Sequence, residues 1–453
     1  MMSSDKAKRR LLVISYHFPP DGSIGGQRWS GLSRYLARLG WEVHVVTASA
    51  AKDYALPAGV HRHFCERRKT LNDYYRARLT GKRGQPESQP STDIEAADPR
   101  GISFLLAGAR RLIGSSMVLP DHGRGWVLRA TRTARKLLRQ NQFDFIVSSG
   151  PPHTAHFAAW LASVGSGVPF WIDMRDPWAL THEMNTPENA FIRVERRFLG
   201  MLERIVFPRA QRVLVNTREF AAVLRRTQPD LDVVHFPNGI DAEQLPRRVE
   251  SDVETGMIAH VGTLYAGRNL STVFAAIRSL TERGVTGAGE LRVNVAGPLE
   301  SPHREQMHAE IESLGLKSQV NVLGVLPRKS ALGLLGRAHL ALVLAQEQPM
   351  CVPAKLYEAV GLGVPTLVIA ETDSAAAREA RRIGAMTVEG NDVDGIAALL
   401  VELLSGRIPK VLEPRTPIAY GDLAIDMNRM LVEGSRELCS QSGVAGQSLP
   451  HLV

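Results

Sequence analysis

Residues 353–365 read PAKLYEAVGLGVP, and what flanks this stretch decides the architecture. The apolar run 339–345 (HLALVLA) stands before it and 365–370 (PTLVIA) after it, and both read as buried strands. Between them, Pro353 at a first-turn position and Gly361 and Gly363 at the far end bound a short helix. Leu356, Ala359 and Val360 share a helical face that can pack on a sheet, while Lys355 and Glu358 stand three apart on the other side. A lysine in a first turn opposes the helix dipole at a cost of about 0.3–1 kcal/mol. A lysine–glutamate pair returns only about 0.2–0.5 kcal/mol. A phosphate bound at the helix N-terminus would reverse that balance, with Glu358 then accepting hydrogen bonds from ribose or sugar hydroxyls. A solvated ion pair is the other reading of the same two side chains.

The chain has 453 residues, more than one hydrophobic core usually holds, so two or three domains are expected. Three scattered cysteines, Cys65, Cys351 and Cys439, are odd in number and lack ligand spacing. They point to a reducing compartment, with neither a disulfide framework nor a zinc site. The start, MMSSDKAKRRLLVIS, has too short an apolar run for a signal peptide, and no run of about 18 apolar residues suggests a membrane span. A cytoplasmic protein is expected. Charge is uneven: residues 1–240 carry 35 lysines and arginines against 21 acidic residues, a formal +14, and residues 241–453 carry 20 against 25, a formal −5. A basic half suits anionic lipid, polyprenyl phosphate or nucleic acid. No zinc-finger, RNP-type or basic-zipper signature is present, which makes nucleic acid the weaker partner.

Residues 11–15 begin a βαβ unit whose loop, HFPPDGSIGG, leads into a helix striped by Trp29, Leu32, Leu36 and Leu39, then into the strand 41–48. Gly25 and Gly26 are placed just before that helix, at the carboxyl end of the strand, where open α/β sheets bind ligands and glycine lets backbone N–H groups approach. An ordinary loop glycine pair fits equally. Residues 85–99 read as a flexible polar loop. Residues 101–120 are an apolar stretch broken by Arg110 and Arg111, either an interfacial segment or a lid over the core. A helix from about Trp126 carries Arg129, Arg132, Lys136 and Arg139 on one basic face. His153, Arg175 and Asp176 then fall at further strand ends. A histidine there can hydrogen-bond a sugar hydroxyl or exchange a proton near neutral pH. Asp176 serves equally as the cap of a following helix or as a partner of Arg175.

Five segments of the first half carry a resemblance: YHFPPDGSIGGQRW (16–29), SSGPPHTAH (148–156), DMRDPW (173–178), RVLVNT (212–217) and VVHFPNGID (233–241). Together they resemble the N-terminal domain and domain-joining stretch of family 4 glycosyltransferases of the GT-B fold. The resemblance implies two Rossmann-like doubly wound α/β domains facing a central cleft. The expected division is an acceptor-binding domain over 1–240 with a flexible insertion at about 61–121, and a nucleotide-sugar-binding domain over 241–412. Over 413–453 a helix crossing back to the first domain and a flexible tail are expected.

In the second half the βα rhythm restarts from Gly256, and GTLYAGRNLS (262–271) is again strand end, glycine-bearing loop and helix start. Arg268 stands before that helix, placed to meet a phosphate. The resemblance implies that Gly262 and Arg268 face the donor diphosphate and that Glu358 is the second of two glutamates eight apart. The first of those positions is Met350 here, so the first acid's role does not transfer. The D-x-D letters at Asp392 and Asp394 precede an amphipathic helix and read as a cap, and those at Asp230 and Asp232 precede a strand. A metal-independent enzyme without cofactor is therefore expected, and the resemblance implies that it transfers sugar with retention, from a UDP-sugar to a saccharide or polyprenyl-phosphate-linked acceptor in cell-surface polysaccharide or glycoconjugate biosynthesis. Its basic half would have peripheral contact with an anionic membrane. The expected donor site is Gly25, Gly26, Gly262, Arg268, Lys355 and Glu358, with His153 and Asp176 toward the sugar and acceptor. Two rival readings are a GT-B nucleotide-sugar epimerase and a catalytically silent scaffold subunit. A dinucleotide dehydrogenase is disfavoured because no GxGxxG follows a strand.

Overall fold

The computed structural model describes residues 8–21, 24–50, 54–70, 73, 121–179, 190–265, 267–299, 303–415 and 418–441. Most of the expected insertion, including 101–120, and the tail from 442 lie outside the described residues.

Two parallel sheets carry the chain. The first holds β1 (Arg9–Ser15), β2 (Trp41–Thr47), β3 (Val60–Phe64), β4 (Phe145–Gly150), β5 (Phe170–Met174), β6 (Arg212–Val215) and β7 (Val233–His235) in the order 3-2-1-4-5-6-7. The second holds β8 (Glu254–Val261), β9 (Arg292–Ala296), β10 (Val320–Gly324), β11 (Ala338–Leu344), β12 (Thr366–Ile369) and β13 (Met386–Val388) in the order 10-9-8-11-12-13. Twelve helices connect them: α1 (Ile24–Arg38), α2 (Val127–Gln140), α3 (Thr154–Ser163), α4 (Ala190–Val206), α5 (Arg218–Thr227), α6 (Ser271–Glu282), α7 (His303–Ser313), α8 (Arg328–Arg337), α9 (Ala354–Gly361), α10 (Ala375–Ile383), α11 (Val393–Leu404) and α12 (Tyr420–Gln441). Strand order reverses between β1 and β4 in one sheet and between β8 and β11 in the other. Ligands of doubly wound sheets bind at such switch points, outside the carboxyl ends of the strands. The four loops that leave β1, β4, β8 and β11 there contain or adjoin most of the expected site residues.

The central strands are fully buried from Leu11 to Ser15 and from Ala338 to Leu344, as continuous apolar runs require when helices cover both faces. In α1 the stripe Trp29, Leu32 and Leu36 is buried, but Leu39 is 44% exposed because the helix ends at Arg38. Residues 60–64, the start of the expected insertion, form the edge strand β3 instead of a flexible segment.

Helix α12 packs Tyr420, Leu423, Ala424, Met427 and Leu431 into the core of the first sheet, beside Trp29, Leu32, Phe145 and Trp171. The indole N–H of Trp41 donates to Asn428 Oδ1 at 2.9 Å. The two segments joining the halves run side by side, the Ile240 N–H donating to Ile418 O and the Tyr420 N–H to Ile240 O. Close approach of α1 and α12 depends on Gly31, where a Cβ would stand 2.2 Å from Tyr420 Cδ2. Gly31→Ala is therefore expected to destabilise the fold by about 1–3 kcal/mol, as overpacked core sites do. Thermal denaturation checks it, and an unchanged Tm would show that Tyr420 can swing aside.

Candidate active site

Helix α9 opens on the switch point of the second sheet. Pro353 is its N-cap, one position earlier than expected; no side chain caps the helix and no acid stands in its first turn. Its free N–H groups and dipole are thus available to an anion. Lys355 Nζ donates to Glu358 Oε2 at 2.5 Å, and Arg328 Nη1, from the start of α8, donates to Glu358 Oε1 at 2.7 Å. The pair is not a solvated one, since Glu358 is only 4% exposed. Burial alone would push the Glu358 carboxyl up, but Lys355 and Arg328 outweigh it and hold it below the ordinary glutamate range. Two cations against one carboxylate leave a net positive charge, and each Glu358 oxygen retains a lone pair for a hydroxyl. Arg328 Nη1 also donates to Gln27 Oε1 on α1, so this corner touches both domains.

The loop after β8 supplies the next cation. Arg268 lies over the Tyr265 ring with its guanidinium carbon 5.0 Å from the centroid, and its Nη2 donates to Gln348 Oε1. Gln348 Nε2 in turn donates to the Tyr265 hydroxyl, locking the three side chains together. No carboxylate lies within ion-pair distance of Arg268 among the described residues, and its buried Nε has no partner. Gly297 (φ +143°) lets the next strand end come close to this loop, since a Cβ there would stand 1.9 Å from Gly262 O. His260, buried under the loop, faces Gly262 with an unpartnered Nε2 while its Nδ1 lies 3.1 Å from Leu342 O.

Met350, where the family resemblance places an acid, packs against the core of the first sheet, and its carbonyl accepts from Thr217 Oγ1 at 2.9 Å. It is a contact between the two domains. Glu347 adopts φ +58°, and its carboxylate blocks the space beside Gly267. A non-glycine residue in this region is an uncommon strain of the kind found at functional sites.

Across the cleft, Gly25 and Gly26 lie inside the first turn of α1, not before it. A Cβ on Gly25 would meet Arg175 Nη2 at 2.7 Å, and one on Gly26 the Phe18 backbone at 3.1 Å, so a side chain at either position would make its neighbour shift. Arg175 donates to Gly150 O at 3.1 Å and Pro151 O at 2.7 Å. It also interacts electrostatically with Asp176, whose carboxyl burial pushes up against the lowering effect of Arg175 and Arg268. Asp176 therefore lies within electrostatic reach of Arg268 across the two domains. His153 stacks on Trp178 at 5.4 Å, and burial together with His156 pushes it down to about 3. It is a neutral hydrogen-bonding group at physiological pH, which corrects the expectation of proton exchange near neutrality. The N-terminus of α3 beside it is occupied: Asp121 accepts from the Thr154 N–H at 2.9 Å and hydroxyl at 2.8 Å. Of these two helix starts, α9 is the one open to a phosphate.

Comparison with known families now bears on this geometry. Residues 25–239 match the family described as a glycosyl transferase 4-like domain, and residues 241–416 match glycosyl transferases group 1. The chain belongs to the family 4-like glycosyltransferases. Solved structures share its GT-B fold. A sucrose-phosphate synthase from Thermosynechococcus elongatus superposes with a TM-score of 0.62 at 11% identity, covering 95% of this chain and 100% of its own. An alpha,alpha-trehalose-phosphate synthase (UDP-forming) from Burkholderia xenovorans, in complex with glucose-6-phosphate, gives 0.61 at 14%, covering 94% and 100%. The Anabaena protein HepE in complex with UDP-glucose gives 0.58 at 13%, covering 94% and 99%. No curated protein sequence matches the chain.

The candidate site contains residues that sequence reasoning missed. Arg328 carried a signal, since LPRK places a cation at a helix start beside the one that bears Glu358. Gln348 and His260 carried none, because their role comes from contacts 80 residues or more away in sequence. Of the D-x-D acids, Asp392 Oδ1 accepts from the Gly395 N–H at 2.8 Å as a helix cap and Asp232 pairs with Arg212 at 2.6 Å.

Buried neutral histidines make the fold acid-sensitive. Burial pushes His156 down to about 3 and His260 to about 4, against about 6.5 in an unfolded chain. Below pH 6.5 the unfolded state binds more protons, so their contribution is complete above that pH and is lost as pH falls toward the folded values. Glu203, pushed up to about 7 by burial, opposes this as one group against several. Urea denaturation is expected to show stability falling between pH 6.5 and 5.5 by about 1 kcal/mol per buried histidine. A midpoint that does not move over this range would place the two rings in wetter surroundings.

Proposed function

We propose that this glycosyltransferase binds a UDP-sugar in the second domain and transfers the sugar, with retention, to a saccharide or polyprenyl-phosphate-linked acceptor held by the first. The observation that carries the reading is the uncapped N-terminus of α9, ringed by Lys355, Arg328 and an Arg268 without a carboxylate partner. A diphosphate suits that concentration of positive charge, and Glu358 has lone pairs left for ribose hydroxyls. The UDP-glucose bound by HepE, which shares the fold, supports a nucleotide-sugar donor.

In this mechanism the bond from the anomeric carbon to the phosphate oxygen breaks while the acceptor hydroxyl attacks from the same face. Its proton passes to the departing phosphate. Arg268, Lys355 and the α9 dipole offset the charge that develops on the diphosphate, so this route needs no metal. Gly25 and Gly26 let the α1 start approach the donor phosphates or the acceptor. His153 and Asp176 orient sugar and acceptor by hydrogen bonds. This differs from a glycosidase, where two carboxylates flank the bond.

A lipid-linked acceptor calls for a membrane-facing surface on the cytoplasmic side. On α4 the side chains of Val194, Met201 and Ile205 are exposed along one face, beside exposed Arg193, Arg197 and Arg204. Apolar and basic groups so arranged favour an anionic interface. No helix among the described residues is long and apolar enough to cross a membrane.

A thermal-shift panel of nucleoside diphosphates followed by a UDP-release assay tests the proposal. UDP is expected to raise Tm by mass action, and UDP is expected to be released from the sugar donor only when an acceptor lipid is added. Turnover without acceptor would favour an epimerase. Binding without turnover would favour a scaffold, and no shift with any nucleotide would sink the donor site.

A further inference from the structure

Away from the cleft, the first sheet carries a second cluster of polar side chains. Glu42 and His44 on β2, and His61 and His63 on β3, alternate by two along adjacent parallel strands, with His44 in register with His61 and Val46 with His63. The four side chains therefore share one face of the sheet. His44 Nε2 lies 3.5 Å from Glu42 Oε1, and His61 Nε2 lies 3.2 Å from the same oxygen. All three atoms fall within 4.8 Å of one another.

The two nitrogen–oxygen separations are those of a metal's ligand shell. Zinc binds histidine nitrogen at about 2.0–2.1 Å and carboxylate oxygen at about 2.0–2.2 Å, so tetrahedral ligands stand about 3.3–3.5 Å apart. A second observation points the same way. His44 is only 8% exposed, and its buried Nε2 faces Glu42 Oε1 at 3.5 Å without making a well-formed hydrogen bond. A buried polar atom without a partner normally has an unseen one. His44 Nδ1 lies 3.0 Å from His63 Nε2, so donation from Nδ1–H to His63 leaves the Nε2 lone pair free. That arrangement is how ligating histidines are usually oriented. Arg10 on β1 holds the other Glu42 oxygen at 2.6 Å, leaving Oε1 as a single-oxygen ligand. His61 is about half exposed, which opens the fourth position to water.

We propose that Glu42, His44 and His61 form a binding site for a divalent transition cation, zinc by preference, with His63 positioning His44. Two imidazoles and one carboxylate suit zinc better than magnesium or calcium, which require a shell of oxygens. Glu42 is the second residue of β2 and His61 the second of β3, toward the amino ends of the strands and away from the donor cleft. The cation would clamp the edge strand β3 onto β2 and take no part in sugar transfer. The scattered cysteines, which argued against zinc, say nothing about a site built of imidazole and carboxylate.

The test uses the full chain, stripped of metal and titrated with Co²⁺. One equivalent is expected to give the intense visible absorption of tetrahedral cobalt, which Zn²⁺ then displaces. Zinc is expected to raise Tm on the order of 5 °C when present at about a hundred times Kd. His61→Ala removes a half-exposed side chain, so it is expected to fold and to keep transferase activity while losing both signals. Glu42→Gln is expected to lose them as well, and His63→Ala to weaken binding about 10–100-fold. Absence of the band in the wild-type protein, or its full persistence in His61→Ala, would overturn the site.

Discussion

Replacing Lys355 by alanine is expected to lower kcat/KM for sugar transfer by about 10²–10³-fold, the usual consequence of losing one preorganised contact to developing charge. Two effects combine. The diphosphate loses a cation at the α9 start, and Glu358 loses the closer of its two charged partners, at 2.5 Å against 2.7 Å for Arg328. With Lys355 gone, burial weighs more heavily on the Glu358 carboxyl, and its pKa moves up from its present depressed position. The acid limb of the pH–rate profile should therefore shift to higher pH in Lys355→Ala, and Lys355→Arg should restore part of both losses. Arg268→Ala should reduce the rate while leaving the Glu358 carboxyl in place, because Arg268 makes no ion pair with Glu358. Steady-state kinetics of the two variants, with circular dichroism to verify folding, provide the check. Wild-type rates in both would remove the diphosphate from this corner.

Breaking the Arg28–Asp173 pair should cost more stability than any other single change considered for the first domain, about 3–5 kcal/mol. Each side chain is 1% exposed. Asp173 accepts from Arg28 Nη2 at 2.9 Å, Trp29 Nε1 at 2.8 Å and Ser149 Oγ at 2.9 Å, while Arg28 also donates to the carbonyls of Phe236 and Pro237. The pair thus ties the start of α1 to β5 and to the strand exit that leads into the second domain. Arg28→Met leaves a buried carboxylate without its counter-charge, and Asp173→Leu leaves a buried guanidinium. The double variant removes both charges and is expected to lose less than either single one, since two apolar groups need no partner. Urea denaturation of the three variants tests this. Additive losses in the double variant would mean that the two charges are not coupled.

Much of the fold was legible because it depends on local pattern. Apolar runs that alternate with amphipathic helices predict a parallel α/β chain, and the restart of that rhythm at Gly256 predicts two sheets, as found. Lys355 and Glu358 stood out because a lysine in a first turn conflicts with the helix dipole unless an anion is present. Other readings failed where a contact decided the outcome. Gly25 and Gly26 looked like loop residues, yet they lie in the first turn of α1, where Arg175 and Phe18 crowd the space a side chain would take. His153 looked able to titrate near neutrality, and burial removed that. The metal-like cluster lay in plain letters, as E-x-H in WEVHVVT and H-x-H in VHRHF. It could not be read before the pairing of β2 with β3 was known.

By itself, then, the sequence determined the class of fold, the family and the helix start where charge conflicts with dipole, because these depend on spacing of a few residues and on short motifs. Only the tertiary structure decided which charges meet. Arg328 reaches Glu358, Gln348 holds Arg268, and Met350 becomes a domain contact, because sheet order and the docking of two domains bring together groups distant along the chain. Burial in those contacts then sets whether each group is charged, paired or open to a ligand.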